Sequence, residues 1–452
     1  MASLDEIFKA YDVRGVVPDQ FDADLAYAIG GAFARFAAPD GGEVLVARDM
    51  RPSGIDLTKA FTEGVTDQGV NVVDLGLAST DLLYFASGRR NAPGAMFTAS
   101  HNPAQYNGIK FCLAGAKPVG QDTGLAEIKA LAAQGRGRDE TKTGGSVRSE
   151  QLLEEFSDHV VSFIDVGALR PLKVIADTAN GMGGLVVPGV FAMLPMDLEI
   201  LFAELDGTFP NHPADPIQPE NLVSLQARVL ETGADIGLAF DGDADRVFLV
   251  DEKAQPVSGS LTTAMVAKAM LEKKPGSTIL HNLICSKAVA EVVRENGGTP
   301  IRTRVGHSFI KEQMAETGAV FGGEHSGHYY FLDNFRADSG LIAAVVILEM
   351  LSKANMTLSE LCRPFDRYAA SGEINTKVDD TKVVIERVAD HFVEAGAQTD
   401  RMDGLTVDLG DWWFNLRPSN TEPLLRLNLE APTPEACAAH VAEVEQLMKG
   451  SA

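Results

Sequence analysis

Basic residues are in short supply in this 452-residue chain: 39 Lys and Arg stand against 63 Asp and Glu, a formal charge of −24. A surface of that sign repels nucleic acid and anionic membranes, and argues against both as partners. Cysteine is scarcer still. Cys112, Cys285, Cys362 and Cys437 lie far apart and form no C-x-x-C pair, so they read as reduced packing residues of a cytosolic protein. Long apolar runs are also missing: the longest, Leu341 to Leu348, is too short to span a bilayer and is closed by Glu349. Residues Met1 to Glu6 offer neither a basic n-region nor an apolar h-region, so no signal peptide is expected. These absences together predict a soluble protein of the cytoplasm.

What is present is ordinary globular composition, 45% apolar and 23% charged. The chain is too long for one core, and three or four domains are expected. A strand–helix–strand order recurs along it. Glu43–Ala47 reads as a buried strand, a helix follows with Leu57, Phe61 and Val65 on one face, and Val70–Val73 and Ala95–Phe97 are further strands. A second round runs from Lys173–Ala176 to Ala234–Phe240, and a third from Thr278–Leu280 to Ala319–Phe321. Alternating elements of this kind imply α/β domains with largely parallel sheets. Ligands then bind at loops beyond the carboxyl ends of the strands.

After the break at Arg363-Pro364 the pattern changes to the strands Leu405–Val407, Trp412–Leu416 and Leu424–Leu429, with a closing helix from Pro434 to Met448. The expected fold class is α/β: three similar mixed-sheet α/β domains plus a smaller C-terminal α+β domain around a central cleft. The expected domains are 1–145, 146–252, 253–364 and 365–452. Gln134 to Ser149, rich in Gly, Thr and charge, reads as the exit from the first.

Four polar segments stand at the ends of these strands. Ser100, in Thr98-Ala99-Ser100-His101-Asn102-Pro103, follows the apolar run Ala95–Phe97 on a loop that Pro103 keeps from becoming a helix. Alone, Ser-His is as readily a plain turn as a reactive hydroxyl, since adjacent side chains often diverge. Asp241, Asp243 and Asp245 put three carboxylates at alternate positions, and such crowding calls for a hard cation. An EF-hand is excluded because Arg246 stands at the sixth position, which needs Gly, and strands flank the cluster. In Glu324-His325-Ser326-Gly327-His328, alternate Glu324 and Ser326 suit two vicinal hydroxyls, with a two-His transition-metal site as the alternative. Arg417-Pro418-Ser419-Asn420-Thr421 joins a planar guanidinium to short donors suited to phosphate oxygens, or else is a surface turn. A reactive hydroxyl, a cation site, a polyol-reading loop and an anion cradle together describe phosphoryl transfer on a sugar.

These four segments, with Tyr11-Asp12-Val13-Arg14-Gly15 ahead of them, resemble the signature loops of the α-D-phosphohexomutases, most closely the bacterial phosphomannomutase/phosphoglucomutase branch. The resemblance covers nearly the whole chain. It implies Ser100 as the carrier of a phosphoryl group, with His101, Lys110, Arg246 and His328 as further catalytic candidates. Lys110 would serve as an acid/base only if a nearby cation depressed its pKa. Mg²⁺ would be held by Asp241, Asp243, Asp245 and the phosphorylated Ser100. Arg14, His307, Glu324, Ser326, Arg417, Ser419, Asn420 and Thr421 would bind substrate. A hexose 1,6-bisphosphate is the implied intermediate and activator, sugar phosphates are the implied partners, and a monomer or weak homodimer is expected. Phosphoglucosamine mutase is the alternative within the family. Asn420, Gln105-Tyr106-Asn107 and His325 favour the mannose/glucose branch over it. A metal-dependent sugar phosphatase is the alternative of a different class.

Overall fold

A computed structural model describes residues 4–135, 137, 139, 143–418 and 424–449. Three of its four sheets repeat one plan. In the first, Glu43–Arg48 pairs in parallel with Asn71–Leu77 on one side and Gly94–Phe97 on the other, and Tyr106–Leu113 then returns antiparallel to Gly94–Phe97. In the second, Lys173–Asp177 lies between Asp197–Leu201 and Ile236–Phe240, and Val247–Asp251 returns. In the third, Thr278–Asn282 lies between Thr299–Thr303 and Phe321–Gly323, and Tyr329–Phe331 returns. The expected α/β class with mixed sheets is what the chain adopts. In each unit three successive strands pair in parallel, and the strand that follows them reverses.

That reversal places the chemistry. The turn between the third strand and its antiparallel partner holds Ser100 in the first unit, Asp241 to Arg246 in the second and Glu324 to His328 in the third. A hairpin connection needs no helix, so each turn is free to carry polar groups at a strand's carboxyl end. Two edges run past the expected boundaries. Val147–Ser149 pairs in parallel with Val72–Asp74 of the first sheet, and Pro256–Val257 pairs with the second.

One continuous apolar core runs through the first three units, from Leu45 and Met96 through Val174 and Leu238 to Phe321. The helix Gly340–Ala354 threads it. Its N-cap Ser339 accepts from Ile342 N, and Leu341 to Leu348 are all fully buried. The run that looked longest in the sequence is thus a core helix. No helix of the described residues is long and apolar enough to cross a membrane. The fourth unit is a separate antiparallel sheet of five strands, with Leu424–Ala431 and Trp413–Pro418 at its centre. It packs on its own core of Phe392, Phe414, Leu427 and Val444.

Candidate active site

Ser100 sits at the point where the first two units meet. Its backbone is left-handed, φ +50°, an uncommon state for a non-glycine residue, and its amide is held by Thr98 Oγ1 at 2.8 Å. Gly242 of the acidic loop lies against it: a Cβ there would fall 2.4 Å from the Ser100 carbonyl oxygen, so no other residue fits. The Ser100 hydroxyl donates to Asp241 Oδ2 at 2.8 Å and accepts from Arg246 Nη2 at 3.2 Å. Arg246 also spans to Asp241 Oδ2 through Nε (2.8 Å) and to His101 Nδ1 (2.6 Å). His101 lies 3.4 Å from the hydroxyl. Burial, with Arg246 and Arg14 nearby, pushes its imidazole pKa well down, so this ring is neutral.

Asp241, Asp243 and Asp245 converge as the spacing suggested, with one oxygen from each within 4.8 Å of the others and all three buried. Oδ1 of Asp243 and Oδ1 of Asp245 have no hydrogen-bond partner. Three converging carboxylates that carry two orphaned oxygens fit a small divalent cation. The triplet is not left bare. Lys110 Nζ bonds Asp243 Oδ2 at 2.7 Å and Asp245 Oδ2 at 2.6 Å, and Thr80 Oγ1 donates to Asp243 at 2.6 Å. Burial raises the Asp241 and Asp245 carboxyls. For Asp243 burial is more than offset by Lys110, Thr80 and Arg246, and its pKa falls.

For Lys110 the condition attached to acid/base work is not met. Its pKa is not depressed by a neighbouring cation. Burial pulls it down, but Asp243 and Asp245 outweigh burial and hold it well above the ordinary lysine value. Lys110 is therefore a firmly protonated ammonium.

Across the cleft, Glu324 is fixed on both oxygens. Tyr330 donates to Oε2 at 2.7 Å, and Gly306 N and Asn282 Nδ2 donate to Oε1 at 3.1 and 3.3 Å. His328 lies between Glu324 (3.5 Å) and Asp245 (3.8 Å), with Ser326 Oγ 3.1 Å from its Nδ1. Arg14 reaches Asn102 Oδ1 at 2.5 Å, beside the serine turn. Arg417 lies at the end of a strand and is held by Glu373 at 2.9 Å, with its Nε unpaired. Ser419, Asn420, Thr421 and the side chain of His307 lie outside what the structure describes.

Two supporting residues were not among the expected site residues. Arg51, wholly buried and paired with Asp49 at 3.1 Å, donates to four carbonyls of the serine turn: Ser100 (2.8 Å), Asn102 (2.7 Å), Pro103 (2.8 Å) and Tyr106 (3.0 Å). Thr80, on a helix of the first unit, ties that unit to the acidic loop. Only an Asp-x-Arg spacing at 49–51, after a strand, could have drawn attention to the first.

Comparison with known proteins matches this geometry. Family models for phosphoglucomutase/phosphomannomutase α/β/α domains I, II and III match residues 5–138, 154–255 and 258–368, and the C-terminal domain model matches 373–447. The chain belongs to the phosphoglucomutase/phosphomannomutase family. It is therefore a phosphohexomutase, an isomerase. A phosphomannomutase of Salmonella montevideo is 40% identical over 434 residues, 94% of either chain. The phosphohexose mutases of Xanthomonas campestris are 39% identical over 447 residues, 98% of this chain and 99% of theirs. A crystal structure of a phosphoglucomutase/phosphomannomutase family protein from Burkholderia thailandensis superposes with a TM-score of 0.90, at 33% identity and over 100% and 99% of the two chains.

Proposed function

We propose that the protein interconverts the 1- and 6-phosphates of mannose and glucose, with Ser100 as the phosphoryl carrier. The observation that carries this reading is the contact of the Ser100 hydroxyl with both Asp241 and Arg246 beside a cation-competent triplet. Arg417 and the turn after it take the phosphate that does not react, and Glu324 and Ser326 take the ring hydroxyls. The phosphoryl group passes from Ser100 Oγ to the 6-hydroxyl, giving the 1,6-bisphosphate. The hydroxyl proton goes to His328, which Glu324 and Asp245 hold at the cleft wall, and Ser100 Oγ takes up a proton as its bond to phosphorus breaks. The bisphosphate turns end for end, and its 1-phosphoryl group returns to Ser100, whose hydroxyl gives up that proton, as His328 gives its proton to O1. Arg246 and the Lys110 ammonium offset charge on the transferring group. Asp241, Asp243 and Asp245 would hold a Mg²⁺ ion, which would supply electrostatic stabilisation of the transferring phosphoryl group. A trace of 1,6-bisphosphate rephosphorylates a bare Ser100 and acts as activator. Four buried free cysteines agree with a reducing cytoplasm, where the enzyme acts as a monomer or weak dimer.

The test is turnover of mannose 1-phosphate, glucose 1-phosphate and glucosamine 6-phosphate, with Mg²⁺ and a trace of bisphosphate. Comparable kcat/KM on the first two and little on the third is expected. Preference for the amino sugar would assign phosphoglucosamine mutase, and release of inorganic phosphate without isomerisation would assign a phosphatase.

A further inference from the structure

A cavity of about 510 Å³ lies in the seam between the first and third units, and none of Ser100, Lys110, Asp241, Arg246, Glu324 or Arg417 lines it. Its walls come from the turn that ends the Lys110 strand (Leu113 to Pro118), from the start of the helix His307–Thr317, and from Phe335-Arg336.

Three features of this cavity point to an anion. Lys117, Arg304 and Arg336 line it, and among the described residues none of the three has a carboxylate partner or a side-chain hydrogen bond. Unpaired guanidiniums are unexpected in a chain with 24 more acidic than basic residues, and Arg336 is half-buried. Secondly, the helix His307–Thr317 brings Ser308 and Phe309 of its first turn to the cavity, while the amide of Gly306 before it is taken by Glu324 of the cleft. Thirdly, Ala116, Phe335 and Arg336 all take left-handed backbone, φ +56°, +56° and +62°. Strained non-glycine residues on both sides of the seam mark a surface shaped at a cost to stability. Lys311 is not part of this set, because Asp338 neutralises it at 2.6 Å. Asp122 and Glu312 also line the cavity, and against them Lys117, Arg304 and Arg336 keep positive charge in excess.

The rings of Tyr11, Phe309 and Phe335 give the same cavity flat apolar walls, and Arg304 already lies over Phe309 at 4.4 Å. We propose that the seam is a second ligand site, distinct from the cleft, for a small organic phosphate. Its phosphate lies on Arg336 and Lys117 and its body against the rings. An occupant there touches both the strand that carries Lys110 and the helix that begins at His307, so it bridges the first and third units. The site is independent of which hexose the cleft turns over.

Isothermal titration of the full-length protein with ADP, and separately with pyrophosphate, tests the proposal. Arg336→Gln and Lys117→Gln serve as variants. Neither side chain holds the fold together, so turnover without added probe is expected to stay within about twofold of wild type. Phosphate loops in the cleft bind probe in both proteins, so the signal that matters is the part lost in the variants. Loss of at least about tenfold in affinity for one class of sites in Arg336→Gln supports the proposal. If ADP alone shows this loss, the rings are read as well as the phosphates. If pyrophosphate shows it equally, only the phosphates are read. Titrations that coincide for wild type and both variants, or no binding of either probe, overturn it.

Discussion

Arg51 Nη2 donates to the carbonyl oxygen of Ser100 at 2.8 Å, from a side chain with no solvent exposure. The same guanidinium reaches the carbonyls of Asn102, Pro103 and Tyr106, and Phe209 of the second unit covers it with its ring centroid 5.1 Å away. A planar fork with five donors can serve four carbonyls and one carboxylate together, and an ammonium cannot. Arg51 is thus a positioning residue that keeps the serine turn in its left-handed shape.

Arg51→Lys is expected to lower kcat about 10- to 100-fold with KM within about threefold, because a slightly displaced nucleophile loses alignment rather than substrate binding. Stability should fall by about 2–4 kcal/mol, as several carbonyls and Asp49 lose their partner. Steady-state kinetics and urea unfolding measure both. Unchanged kcat in a destabilised protein would reduce Arg51 to a packing residue.

Ser100→Ala is expected to cut turnover by more than about 10³-fold while leaving hexose phosphate binding within a few-fold. Intact-mass measurement should find one phosphoryl group on wild type after incubation with 1,6-bisphosphate and none on the variant. Turnover near wild type in the variant would remove the phosphoserine from the mechanism.

Asp81 accepts hydrogen bonds from Ser79 and from Ser339 at 2.6 Å, so it joins the first and third units. Burial pushes its carboxyl up to about 7, with Asp245 and Asp338 adding to the rise and the two hydroxyls opposing it. The folded protein keeps this proton up to about pH 7, while the unfolded chain loses it near pH 4, so folding takes up a proton between them. Stability from this group is therefore lost as pH rises through that window. Relative to Asp81→Asn, wild type should lose about 3 kcal/mol between pH 5 and pH 8, as read from urea melts. Parallel stability curves for the two proteins would rule this out.

Glu373 holds Arg417 at 2.9 Å, and with Arg417 in its proposed role a substrate phosphate competes with that carboxylate. Removing that competitor in Glu373→Gln is expected to lower KM by about two- to tenfold with kcat little changed. A raised KM would mean that Glu373 orients Arg417 for phosphate instead of competing with it.

Most of the cleft was legible because its reactive groups are local in sequence. Ser100, the aspartate triplet and the Glu324 turn each follow an apolar strand within a few residues, and polarity at a strand's end is a pattern that a sequence displays. Arg51 and Thr80 were hidden, since their partners lie 49 and 163 residues away. The direction of Lys110's shift was hidden for the same reason: Asp243 and Asp245 come from another unit. Val147–Ser149 escaped because all three residues are exposed and show no apolar alternation.

The surroundings of Lys110 have one further consequence. Three carboxylates set against Lys110 and Arg246 leave the Ser100 pocket with a single formal negative charge. A serine phosphate adds close to two negative charges, and a magnesium ion adds two positive ones. Loaded with both, the pocket returns to the charge it had when empty, whereas the phosphate alone leaves a large uncompensated negative field in a buried space and the cation alone reverses the sign of the charge. Phosphoryl group and cation are thus electrostatic counterweights, and each should be held far more tightly when the other is present.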